Sequence, residues 1–79
     1  MSNANEHIRY ASERCHELVE EAAALRESNF LSQREVSEAL GLASHGNLAS
    51  IESHKAVPRL DSFLRILSVM GYTLTITKK

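Results

Sequence analysis

The sequence predicts an all-α domain of about four helices that ends in one β-strand. Three observations support this: apolar residues recur at helical spacing, a serine cap and a glycine mark two short central helices, and the last residues alternate apolar and polar. At 79 residues the chain has room for a modest core. Domains of this size are marginal unless association helps them, so we expect a single domain over residues 1–79.

A long first helix is predicted over residues 6–27. Its apolar positions follow one another at intervals of three and four residues and form a stripe on one face. The stripe consists of Ile8, Ala11, Cys15, Leu18, Ala22 and Leu25. We expect it to pack on a later helix of the same chain or on a second copy. The alternative is a docking surface for a partner protein, with nearby acidic residues facing a basic surface; these are Glu13, Glu17, Glu20 and Glu21.

Two short amphipathic helices joined by a tight turn are predicted over residues 32–53. Ser32 is a good N-cap, and Glu35 follows three residues later, which is the spacing of a capping box. Val36 and two later apolar residues then share one face of this helix. Gly41 supplies the backbone freedom that is needed just past a helix end.

The second of these helices is predicted to open at Ser44 and to turn Leu48 and Ile51 inward. Its remaining polar residues then point elsewhere; they are His45, Asn47, Ser50 and His54. A helix that reads DNA needs this division, with one side locked to the scaffold and the other free to meet base edges. The pattern therefore predicts DNA binding, and a small helical bundle without DNA is the alternative.

The stretch from Leu18 to Met70 resembles the Cro/C1-type helix-turn-helix family of bacterial and phage repressors, also called the XRE family. The matching segments are LxxxxxxLRExxxLSQREVSEALG, then NLASIES, then PRLDSFLRILSVMG. The resemblance implies a lambda-repressor-like bundle whose dimer places two helices in the major groove of a palindromic operator and represses transcription. The turn holds one residue more than is usual in the family, and Ser50 stands where a basic residue is frequent.

The same resemblance implies which residues meet double-stranded DNA. Gln33 aligns with the start of the first motif helix, and His45 and Asn47 align with the first turn of the recognition helix. Further residues would hold the phosphate backbone. The predicted set is Gln33, Arg34, Ser44, His45, Asn47, Ser50, His54, Lys55 and Arg59.

The chain closes with a helix predicted over 60–70 and a strand over 72–77. Pro58 cannot continue a helix, and Gly71 ends the last one. Beyond it the apolar residues Tyr72, Leu74 and Ile76 alternate with threonines. A lone strand leaves backbone groups unpaired, so we expect antiparallel pairing with the same strand of a second copy. A frayed tail is the alternative.

This ending also resembles the C-terminus of the HipB antitoxin, whose subunits pair through such strands. The resemblance implies a homodimeric antitoxin that represses its own toxin-antitoxin operon and binds a toxin. Two other interpretations remain: a stand-alone phage or prophage regulator without a toxin, and a protein-interaction module that uses the acidic first helix.

Charge and composition limit how the protein could bind DNA and where in the cell it could act. The formal net charge is −1, with three arginines against six glutamates in residues 1–30, so DNA affinity is expected to rely on dimerisation and a few placed contacts. No apolar run is long enough to span a membrane, and we expect a cytoplasmic, nucleoid-associated bacterial protein.

Catalytic and metal-binding patterns are missing from the sequence. Cys15 is the single cysteine, so there is no internal disulfide, and the four histidines lack zinc-ligand spacing. No glycine-rich loop could hold a phosphate. We expect no enzymatic activity, no metal and no cofactor.

Overall fold

The computed structural model describes residues 3–41 and 46–78, without the side chains of residues 46 and 47. In this part of the chain there are four α-helices, and no strand. They are α1 (Ala4–Ser28), α2 (Gln33–Ala39), α3 (Gly46–Glu52) and α4 (Leu60–Val69). The predicted all-α class and the number of helices are confirmed, and the bounds of α1 and α4 differ from the predicted ones by one or two residues.

Helix α1 is a 25-residue helix, about 37 Å long at 1.5 Å per residue. Asn3 caps its N-terminus: the Asn3 side-chain oxygen accepts a hydrogen bond of 2.9 Å from the backbone N–H of Glu6. Only its second half is packed: Val19 and Ala22 are buried against Phe63 and Leu67 of α4.

The first half of α1 lies outside the core, so the first of the two predicted alternatives, packing on a later helix of the same chain, does not hold there, and packing on a second copy stays a prediction. Residues 4–17 are exposed except for the half-buried Arg14, and Ile8 is 66% exposed. The apolar stripe therefore does not pack on a later helix of the same chain at Ile8, Ala11 and Cys15. The reason is length, since α1 extends beyond the short helices that could cover it.

Helix α2 begins with the predicted capping box. The Ser32 hydroxyl oxygen accepts a hydrogen bond of 3.0 Å from the Glu35 N–H, and the Glu35 carboxylate accepts one of 3.0 Å from the Ser32 N–H. Just past its end Gly41 has φ +73°, a backbone conformation that would be strained in a residue with a side chain. Helix α3 begins at Gly46, and the predicted opening at Ser44 lies outside the described residues.

The core has two clusters that meet on α4. One joins Val19 and Ala22 to Phe63 and Leu67, as above, and the other consists of Val36, Leu48 and Ile66. Because α4 contributes to both, it is the centre of the core, as its wide apolar face predicts. The second cluster fixes α2 and α3 to each other and to α4.

The predicted strand over 72–77 is not seen in the single chain: residues 72–78 form neither helix nor strand. A strand is defined by hydrogen bonds to a neighbouring strand, and the described part of the chain offers no such neighbour. Leu74 packs against the first core cluster, Tyr72 is half exposed and Ile76 is fully exposed. Pairing of these three residues across a dimer therefore stays a prediction.

Ser37 in α2 provides a test of core packing. It is fully buried, and its hydroxyl has no hydrogen-bond partner among the described residues. Since a buried unpaired polar group destabilises the folded state, we expect Ser37→Ala to raise the free energy of unfolding by about 1 kcal/mol. Thermal unfolding measures this, with Ser32→Ala as a control that removes the cap and lowers stability by about 1 kcal/mol. A less stable Ser37→Ala protein would contradict the prediction.

Candidate nucleic-acid interface

The predicted DNA-contacting residues lie at the start of α2, on α3 and just after α3. Gln33 and Arg34 open α2, and Ser50 belongs to α3. Lys55 and Arg59 follow in the connection to α4. Ser44 and His45 lie outside the described residues, and Asn47 is in α3 with its side chain outside the description.

Gln33 is hydrogen-bonded to a charged pair at the C-terminal end of α3. Its amide nitrogen donates a hydrogen bond of 2.9 Å to Glu52. The same carboxylate accepts two hydrogen bonds from Arg26, from Nε at 2.8 Å and from Nη2 at 2.9 Å. A third guanidinium nitrogen, Nη1 of Arg26, donates to the backbone carbonyl of Leu31 at 2.8 Å. This Arg26–Glu52–Gln33 cluster ties α1, α2 and α3 together.

The cluster is mostly shielded from water, which makes its electrostatics strong. The side chains of Arg26 and Glu52 are only 13% and 12% exposed. Burial by itself raises the pKa of Glu52, but hydrogen bonds from Arg26 and Gln33 and the charge of Arg26 outweigh it, and the pKa is lowered. The hydrogen bond to Glu52 raises the pKa of Arg26. Both groups therefore stay charged at neutral pH, and the pair fixes where Gln33 lies.

The basic residues of the predicted DNA-contacting set are exposed, and two of them form only exposed ion pairs. Arg34 pairs with Glu38 at 3.1 Å, and Arg59 pairs with Asp61 at 3.3 Å. Such exposed pairs contribute little to stability, so their guanidinium groups can exchange partners for a phosphate. Lys55 is exposed next to the end of α3, where its backbone N–H donates to the carbonyl of Ser50 at 2.9 Å.

His54 lies against α1, a position that the sequence did not predict. It has φ +62° just past α3, its ring centroid lies 4.5 Å from that of His16, and its Nε2 lies 3.5 Å from a carboxylate oxygen of Glu20. A role for His54 at DNA stays a prediction, and in the single chain its ring contacts α1.

Sequence reasoning missed Arg26 and Glu52, although a signal was present. Arg26 lies four residues after the buried Ala22, and Glu52 lies four residues after the buried Leu48. Residues four apart share a helix face, so both charges lie on faces that turn toward the core. Opposite charges on two inward faces indicate a shielded pair.

Comparison of the chain with protein-family models, with curated proteins and with solved structures gives no match. Across residues 3–41 and 46–78, no helix is both long enough and apolar enough to cross a membrane. Within the same residues, no group of three histidine, cysteine or acidic side chains is arranged to hold a metal ion.

Proposed function

We propose that this protein is a sequence-specific DNA-binding transcriptional repressor. One observation carries the proposal: two short helices separated by a turn at Gly41 are held in a fixed relation by the cluster of Val36, Leu48 and Ile66 and by the contact of Gln33 with Glu52. A rigid pair of this kind can present one helix to the major groove while the other lies across the backbone.

Charge placement supports the same function. Arg34, Lys55 and Arg59 are exposed around the two helices, and none forms a shielded ion pair with another described residue. With a formal net charge of −1 the chain has little general attraction for phosphate. DNA binding would therefore depend on a few specific contacts, which each of the two copies in a dimer would make.

We propose further that two copies associate through residues 72–77 and read a palindromic operator. The exposed Ile76 and half-exposed Tyr72 support this, since a second copy would cover both. By resemblance to HipB the protein would be an antitoxin that represses its own operon and binds a toxin. A stand-alone regulator would share the DNA mechanism and lack the toxin.

The exposed half of α1 favours a second candidate function, that of a protein-interaction module. Residues 4–17 have almost no burial, and a helix of this length is marginal in water without packing. A shift assay on DNA upstream of the gene separates the two functions: the repressor binds it and the interaction module does not. Footprinting is expected to show an inverted repeat with half-sites about 34 Å apart.

Two substitutions test how the DNA would be read. Asn47→Ala is expected to cost about 1 to 3 kcal/mol on the operator and to relax specificity at one base pair. Lys55→Ala should weaken binding to all sequences alike and lower the salt slope by about 1. Arg9→Ala, on the exposed half of α1, is the control and should change neither. Unchanged affinity and sequence preference for Asn47→Ala would mean that α3 enters the groove differently.

A further inference from the structure

An open groove of about 270 Å³ lies between α3 and α4. Its apolar lining includes Leu40 after α2, Leu48 and Ile51 of α3, and Ile66 of α4. Ser62, a small residue of α4, also lines it and leaves room that a larger side chain would fill. The groove therefore touches the helix that the proposed function assigns to DNA reading.

Two arginines give the groove a positive rim. Arg59 and Arg65 both line it. The side chain of Arg65 makes no hydrogen bond or ion pair with any described residue, and the side chain of Arg59 is 83% exposed in its pair with Asp61. An apolar wall beside two weakly engaged guanidinium groups is complementary to a molecule with an apolar body and one carboxylate.

We propose that this groove binds a small amphipathic carboxylate, with its apolar chain against Ile51 and the exposed Val57 and its carboxylate on Arg59 and Arg65. The volume selects the class of ligand: it lies near the lower end of small-molecule pockets, and a chain of about eight carbons fits it. A protein partner would need a far larger contact area than the groove provides.

Ligand binding has a consequence that rests on the proposed DNA-binding function. Arg59 is one of the residues predicted to hold a phosphate, so a bound carboxylate competes with DNA for the same guanidinium group. The ligand is therefore an inducer, which lowers operator affinity. Binding of the ligand itself does not depend on DNA.

Octanoate tests the groove directly, with octanol and octylamine as neutral and cationic probes of equal length. Titration of the full chain, followed by backbone amide NMR, is expected to show octanoate shifting residues of α3 and α4 and octanol binding about tenfold more weakly. Arg65→Gln should weaken octanoate about tenfold, and Ser62→Leu should abolish its binding by filling the groove. Arg9→Gln and Ser12→Leu, on the exposed half of α1, are matched controls and should change nothing.

Three results would overturn the proposal. Octanol could bind as tightly as octanoate, the shifts could fall on α1 alone, or Ser62→Leu could change the oligomeric state in sedimentation, which would mean that a second copy covers the groove. Arg65→Gln keeps the test valid if Ser62→Leu does not fold, because Arg65 is exposed. Octanoate binding without any DNA binding would support the groove and contradict the proposed function.

Discussion

Glu52→Gln is expected to lower the free energy of unfolding by about 3 kcal/mol, because the shielded guanidinium group of Arg26 then keeps only the longer contact of 3.7 Å with the exposed carboxylate of Glu27. For a domain of this size the midpoint of thermal unfolding should fall by about 15 °C. The variant keeps the size of the side chain, so the loss reports the charge and not a cavity. Calorimetry or circular dichroism measures it.

Glu17→Gln is the matched control, since Glu17 pairs with Arg14 at 2.9 Å on the exposed half of α1. We expect a change below about 0.5 kcal/mol there, because water screens the pair. Replacing both shielded partners, as Arg26→Met with Glu52→Leu, should cost less than either single change. Equal small losses at Glu52 and Glu17 would show that shielding does not strengthen the pair.

The effect of Glu52→Gln should depend on pH in a defined direction. The folded-state pKa of Glu52 is lowered from its ordinary value of 4.5, so its contribution is present above pH 4.5 and is lost as the pH falls through the folded-state pKa. The stability difference between the natural protein and Glu52→Gln should therefore shrink in that acid range. A difference that stays constant down to the acid limit of folding would contradict the lowered pKa.

Ile76→Asp is expected to convert the proposed dimer to monomers in sedimentation. Ile76 is fully exposed in the single chain, so the change should leave monomer stability intact while placing a charge in the proposed strand pair. In the proposed repressor, loss of the second DNA-reading helix should then weaken operator binding by about a hundredfold or more. Deletion of residues 72–79 should have the same effect on association, with some loss of stability because Leu74 packs on the core.

Ile8→Asp distinguishes the two exposed apolar surfaces. Ile8 is 66% exposed on the first half of α1, outside the proposed strand pair. The Ile8→Asp change should leave the proposed dimer intact if residues 72–77 form the interface. If Ile8→Asp yields monomers and Ile76→Asp does not, the dimer forms through α1 and the strand proposal is wrong.

The sequence by itself determined the helices, the capping box at Ser32 and the glycine turn after α2. Each of these depends on residues within about four positions of one another, where backbone preference and side-chain capping act directly. The burial of the apolar face of α4 could also be predicted from the sequence, because a face that carries so many large apolar residues is stable only when it is buried. Local physics was sufficient for these elements.

Tertiary structure alone decided the shielded pair of Arg26 with Glu52, the burial of Ser37 and the contact of His54 with α1. These depend on how helices distant in sequence pack, and helical spacing does not say which partner an inward residue meets. The same reason explains the two mismatches. The first half of α1 is exposed because none of the helices in residues 3–41 and 46–78 extends beside it. Residues 72–77 form no strand because a strand requires a neighbour, which the same described residues do not provide.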